Sequence, residues 1–199
     1  MLHHLQIAML NGRSNPANWA LSPAQQTFLQ QLGGAERHLV GVNFPYLPTE
    51  KAFQPTALLR ASLANGREYL NARMPWFRRR YRPGVQALLQ QAEHTVFVAG
   101  SCGLELLNCL QLAPSDLEKI SVFAYGPVAR ERPACRSLLV QGRADWISRQ
   151  WFANVDIVVD ADHLNYLQQD EVLQHCRQFI DRIAAGMHKE PRYASCNAA

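Results

Sequence analysis

The chain has 199 residues, 48% of them hydrophobic and 18% charged, and a formal net charge of +4. That composition describes a single globular domain with room for a sizeable core, and it excludes a disordered chain. The charge surplus is too small to argue for nucleic acid, no apolar run approaches the length that crosses a bilayer, and the N-terminal stretch lacks the signature of a signal peptide.

Residues 5–10, Leu-Gln-Ile-Ala-Met-Leu, read as a first buried strand ending in a loop of turn formers at 11–16. Ser22 and Pro23 then start a helix, with serine at the cap and proline at the first helical position, and Gly33-Gly34 stops it. Residues 39–43 read as a second short strand. Residues 55–72 carry Leu58, Leu59, Leu63 and Leu70 at rough helical spacing, interrupted at Asn65-Gly66. A basic and aromatic stretch follows at 73–83, then a helix over 84–92. Strands are expected at 95–99, 120–125, 136–142 and 156–160, with a turn at 113–116. A final helix over 170–185 carries Val172, Leu173, Cys176, Phe179, Ile180 and Ile183 at helical spacing, and 186–199 reads as a loosely held tail. Short apolar strands separated by helices call for a mostly parallel sheet with both faces covered, an α/β three-layer sandwich of about six strands in one domain over 1–199.

The five cysteines, at 102, 109, 135, 176 and 196, form no C-x-x-C pair. They read as reduced thiols of a cytoplasmic protein, and nothing in their spacing suggests a metal; no cofactor is called for. Cys109 and Cys176 fall on apolar helix faces and read as small core residues.

Chemistry concentrates where the strand at 95–99 meets a helix. Three small residues, Gly100, Ser101 and Gly103, surround Cys102 at that junction. A strand, a tight turn and a helix are the setting of a nucleophile elbow, where a serine sits on a strained turn. Residues two before and two after such a nucleophile must be small, because strand and helix backbones nearly touch. Around Ser101 they are Ala99 and Gly103; around Cys102 they are Gly100 and Leu104, and leucine does not fit. The frame therefore favours Ser101, with Cys102 supplying a backbone N–H. A plain buried turn, as in any Rossmann-like unit, remains an alternative at this point.

Open parallel sheets bind ligands beyond the carboxyl ends of their strands. The polar residues there are Asn11, Gly12 and Arg13 after the first strand, Ser101 after the third, Asp145 after the fifth and His163 after the sixth. The order Ser101, Asp145, His163 and the run Val140-Gln141-Gly142-Arg143-Ala144-Asp145, which matches hydrophobic-x-G-x-x-D, resemble the α/β-hydrolase superfamily along most of the chain. His163 with Tyr166 and Leu167, ahead of the last helix, is similar to that family's histidine loop, and Asn11-Gly12-Arg13 stands where H-G-x often stands. The first glycine of G-x-S-x-G is replaced by Ala99, the usual leading hairpin has no room before Leu5, and a bare loop at 126–135 occupies the usual site of a cap. The segment 44–83 is the remaining place for a partial lid.

The resemblance implies a serine hydrolase acting on a small-molecule ester or thioester. Ser101 would be the nucleophile, His163 the general base and Asp145 the orienting acid, with Arg13 and Cys102 as oxyanion donors and Asn11, Gly12 and Trp146 against the substrate. Asp160 and Asp162 are rival acids, but their closeness to His163 in sequence favours turn or surface roles. Cys102 as a thiol nucleophile, a non-catalytic binding member of the fold, and a flavodoxin-like domain are the competing readings. Arg73, Arg78, Arg79, Arg80 and Arg82, interleaved with Trp76, Phe77 and Tyr81, suggest either a solvated surface or docking of an anion. The candidates for that anion are a coenzyme A phosphate, a phosphopantetheine arm or an acidic acyl carrier protein, with no nucleic acid and no membrane expected as partners.

Overall fold

Nine residues at each of two segments set the centre of the sheet: β1, His3–Asn11, pairs along its length with β3, Ala92–Gly100. The computed structural model of the chain describes residues 2–13, 18–47, 52–55 and 58–187, apart from the side chains at 58, 59, 61 and 62. The sheet has six strands, all parallel, in the order β2-β1-β3-β4-β5-β6. The others are β2, Arg37–Val40, β4, Ile120–Tyr125, β5, Arg136–Gly142, and β6, Ile157–Val159. The chain starts in the middle, steps outward to β2, and crosses to β3 before running to the other edge. That reversal places β1 and β3, neighbours in space, at the topological switch point where such sheets bind ligands.

Each central strand is apolar on both faces, as a sheet covered on both sides requires. Along β1, Leu5, Ile7 and Met9 enter one core and Ala8 and Leu10 the other; along β3, Val96 and Val98 oppose Phe97 and Ala99. The first core is closed by α1, Pro23–Gln31, and α6, Asp170–Met187. The second is closed by α3, Pro75–Leu89, and α4, Gly103–Leu110, with the last turn of α2, Leu58–Ala72, against them. A four-residue helix, α5, Pro114–Leu117, occupies the expected turn before β4.

The helix α1 begins as its sequence predicts. Ser22 caps it by accepting from the Gln25 N–H, and the Gln25 side chain accepts from the Ser22 N–H, a capping box that satisfies two otherwise orphaned donors. Two other helices depart from expectation. The helix α2 runs unbroken through Asn65-Gly66, because its inward face buries Glu68, Tyr69 and Ala72. The helix α3 starts at Pro75 rather than 84 and takes in most of the basic segment, with Pro83 inside it. An internal proline costs a helix about 3 kcal/mol, but Phe77, Tyr81, Val85, Leu88 and Leu89 form a buried stripe at helical spacing. Burying five such side chains contributes on the order of 1.5–3 kcal/mol each, which outweighs one lost hydrogen bond. The second strand is also shifted: it ends at Val40, and Val42 makes only an isolated antiparallel bridge to Ala20. The expected tail beyond 187 lies outside the described residues.

Candidate active site

The junction of β3 and α4 forces an unusual backbone. Ser101 has φ +52°, a left-handed conformation that serine adopts rarely, and its hydroxyl stands at the carboxyl end of the sheet. Tight approach of neighbouring backbones holds it there. A Cβ on Gly103 would lie 1.8 Å from the Leu10 carbonyl oxygen, and one on Gly100 would lie 2.1 Å from Asn11 Oδ1. The Ser101 N–H donates to the Tyr125 carbonyl at 3.2 Å, and the Ser101 carbonyl accepts from the Val128 N–H at 3.0 Å. The turn is therefore fixed at both polar backbone atoms of Ser101, one to the end of β4 and the other to the loop that follows it.

Three side chains from three strand ends meet here. Ser101 Oγ lies 3.0 Å from His163 Nε2. The other ring nitrogen, Nδ1, lies 3.0 and 2.9 Å from the two carboxylate oxygens of Asp145. His163 comes from the loop after β6, and Asp145 from the turn after β5. Asp145 is fully buried and well supplied with donors: the Ser148 N–H at 3.0 Å and the Tyr166 hydroxyl at 2.7 Å. Burial alone would push its carboxyl up. The hydrogen bonds from His163, the Ser148 N–H and Tyr166 outweigh burial and hold it below the usual carboxylate range.

Tyr166 carries more of the geometry than its sequence position suggests. It sits in a single 3₁₀ turn, Tyr166–Gln168, where its hydroxyl accepts from the Gly142 N–H at 2.6 Å while donating to Asp145. It thereby ties the end of β5, the acid and the histidine loop together. Gly126, at φ +53°, makes room for this: a Cβ there would lie 2.7 Å from the Tyr166 ring.

A cleft of about 370 Å³ opens over Ser101, lined by Asn11, Gly12, Asn65, Tyr125, His163 and Leu164 among others. Asn11 is anchored in it. Its N–H donates to Asn43 Oδ1, its carbonyl accepts from Asn43 Nδ2, and its Oδ1 accepts from the Tyr125 hydroxyl. Trp146 lies elsewhere: it is 70% exposed, outside the cleft lining, because the backbone turn that buries Asp145 points the next side chain outward. Trp151 packs on Tyr69 of α2. Asp162 caps its own loop, accepting from the Leu164 N–H and from Asn165.

The loop after β1 holds a surprise. The Arg13 N–H donates to Glu68 Oε2 at 2.6 Å, and Arg13 Nε donates to Glu68 Oε1 at 2.6 Å. The expected second oxyanion donor is thus held by a buried carboxylate from α2. The Arg13 guanidinium also donates to the Tyr81 hydroxyl and lies 5.3 Å from the centre of that ring. Burial opposes its charge, but Glu68 more than compensates and raises its pKa. Nothing in the sequence marks Glu68, which lies 55 residues from Arg13.

The adjacent thiol is chemically quiet. Burial, reinforced by the nearby Glu68 carboxylate, pushes Cys102 up to about 12, so it is a thiol and not a thiolate at neutral pH. The backbone N–H groups of Cys102 itself and of Gly12 lie against its sulfur.

No protein-family model and no curated protein matches the sequence. Solved structures do match it. A carboxylesterase from Mesorhizobium loti is 17% identical over 89% of this chain and 88% of its own, with a TM-score of 0.48. A protein of unknown function from Agrobacterium tumefaciens, described as a candidate α/β hydrolase, is 13% identical over 92% and 87%, with a TM-score of 0.51. The esterase PE8 is 13% identical over 92% and 93%, with a TM-score of 0.53. The chain has the α/β-hydrolase fold, built on six parallel strands.

Proposed function

We propose that the protein hydrolyses a carboxylic ester or thioester through an acyl-enzyme on Ser101. The observation that carries this reading is the unbroken chain of contacts from Ser101 Oγ through the two nitrogens of His163 to a buried, well-solvated-by-dipoles Asp145 carboxylate. His163 Nε2 takes the hydroxyl proton as Oγ attacks the carbonyl carbon. Asp145 orients the ring and stabilises its protonated form. The tetrahedral intermediate collapses, His163 returns the proton to the departing alcohol or thiol, and a water activated by the same nitrogen releases the acid. The strained φ of Ser101 and the donors on Asp145 keep this geometry fixed before substrate arrives.

The Cys102 N–H, at the start of α4, is the first oxyanion donor in this scheme. Arg13 becomes the second once its N–H turns from Glu68 to the substrate oxygen. Each such donor is commonly worth roughly 3 kcal/mol of barrier. The contact between the Arg13 N–H and Glu68 also favours a second reading, a non-catalytic member that binds a ligand in the same cleft.

A fluorophosphonate probe separates the two. The hydrolase reading expects covalent labelling that Ser101→Ala abolishes and Cys102→Ala retains, with turnover of a p-nitrophenyl ester lost in parallel. Absence of labelling and of turnover across a panel of p-nitrophenyl esters and acyl thioesters would leave only the binding role.

A further inference from the structure

A groove of about 460 Å³ lies beside the Ser101 cleft, on the other side of one wall. In the loop after β1, Gly12 lines the cleft and Arg13 the groove; in α2, Asn65 lines the cleft while Ala64 and Glu68 line the groove. The paired Arg13 and Glu68 side chains thus stand between them. The rest of the groove mixes flat apolar rings, Trp19, Trp76, Phe77 and Tyr81, with two further guanidinium groups, Arg67 and Arg80.

The arginines of this region divide by what they touch. Arg73 is bound to the buried Glu105, Arg78 to Gln111, and Arg82 to the Leu110 carbonyl. Those three hold α3 and the turn before it to α4 and its C-terminal cap, so the dense basic stretch is in large part structural. Arg67 and Arg80 make no ion pair or hydrogen bond among the described residues, and Arg80 lies over the Tyr81 ring at 5.6 Å. Glu68, the carboxylate of the groove, is already matched by Arg13. Two positive charges therefore face the groove uncompensated. Residues 58–89 carry seven arginines and one acidic residue, a surplus larger than the +4 of the whole chain.

We propose that this groove binds an anionic group of the substrate, a carboxylate or a phosphate, on Arg67 and Arg80, with the adjoining apolar part of the substrate against Trp76 and Tyr81. A guanidinium fork suits planar carboxylate and phosphate oxygens, and aromatic faces suit the stem that leads to them. The proposal rests on the hydrolase reading, because the acyl carbonyl is placed over Ser101 while the charged end crosses the wall. It does not fix whether the charge belongs to the acyl chain or to the leaving group; both carry the same chemistry into the groove.

Two matched substrate pairs test it. Mono-p-nitrophenyl adipate against p-nitrophenyl hexanoate places the charge on the acyl side. Hexanoyl-coenzyme A against the hexanoyl thioester of N-acetylcysteamine places it on the leaving side. In the unaltered protein, one anionic member should exceed its neutral mate in kcat/KM by roughly tenfold, as two exposed charge pairs allow. That ratio should fall with added salt. It should approach one in the double variant Arg67→Gln with Arg80→Gln, and persist in Arg79→Gln, whose side chain is outside the groove lining. Ratios near one for both pairs in the unaltered protein, or a ratio untouched in the double variant, would overturn the proposal.

Calorimetry on Ser101→Ala protein with the two anionic compounds keeps the groove testable apart from turnover. Saturable binding that the double variant abolishes supports it even if no ester is cleaved, and absence of binding by both compounds refutes it.

Discussion

Replacing Tyr166 by Phe removes one oxygen and leaves the ring, so the cost can be worked from what that oxygen touches. The hydroxyl donates to the Asp145 carboxylate at 2.7 Å and accepts from the Gly142 N–H at 2.6 Å, in a residue only 2% exposed. A hydrogen bond to a buried charge contributes about 1.5–3 kcal/mol, and an orphaned buried N–H costs about 1–3 kcal/mol. With some relaxation the expected loss is about 2–4 kcal/mol at neutral pH. Urea unfolding followed by tryptophan fluorescence measures it.

The pH dependence supplies a second check, with a definite sign. The Asp145 carboxyl is held below its ordinary value, so its contribution to stability is present above the unfolded-state value, about 3.9, and drains away as pH falls through the folded one. Tyr166→Phe removes one of the groups that holds it down. The variant should therefore lose less of its stability on acidification over that range, and the gap to the unaltered protein should narrow. Tyr125→Phe is the control: its hydroxyl serves one neutral amide, Asn11 Oδ1 at 2.7 Å. It should cost only about 1 kcal/mol with no narrowing at low pH. A Tyr166→Phe protein within 0.5 kcal/mol of the unaltered one, on the order of ordinary surface changes, would refute the claim that this tyrosine holds the acid.

Three further outcomes follow from the same contacts. Gly103→Ala sets a Cβ 1.8 Å from a backbone oxygen, so no soluble folded protein is expected, or a loss above about 4 kcal/mol; Gly66→Ala, in open space within α2, should stabilise by about 0.5–1 kcal/mol in the same urea assay. Glu68→Ala strands the mostly buried Arg13 guanidinium and should lower stability by about 3–5 kcal/mol, whereas Glu68→Gln keeps an acceptor and should cost clearly less; equal losses would mean the charge pairing is unimportant. Iodoacetamide at pH 8 should leave Cys102 unmodified in the folded protein, because burial pushes its thiol up to about 12, and mass spectrometry showing rapid alkylation there would contradict the buried environment.

What the sequence made legible is what backbone geometry determines locally. Strands β4 and β5 stand at their expected limits, because each is an apolar run closed by glycine or proline. The tight turn at Ser101 is readable for a similar reason: only small residues fit two positions either side of it, and the approach of Gly103 to Leu10 shows the crowding that demands them. Parallel topology then brings every strand's carboxyl end to one edge, so residues far apart in sequence become neighbours by their place after a strand alone. The proline at 83 suggests a helix start beside it, but the stripe from Phe77 to Leu89 keeps the helix whole.

The supporting residues obey a different logic. Glu68 and Tyr166 matter through hydrogen bonds to partners 55 and 21 positions away, and such pairings leave no period or spacing in the chain. They arise only after α2 has packed over the loop following β1, and after the last strand has set the histidine loop beside the acid. A buried carboxylate reaching the N–H of Arg13 also has no equivalent in a motif, because a motif names side chains and this contact is made to backbone. The consequence is specific to this chain. The pair formed by Arg13 and Glu68 is at once a structural clamp, an occupant of an expected oxyanion donor, and the wall between the cleft and the arginine groove. If the groove takes the charged end of a substrate as proposed, changes at Glu68 should alter stability and substrate preference together, while changes at Arg67 and Arg80 should alter preference alone.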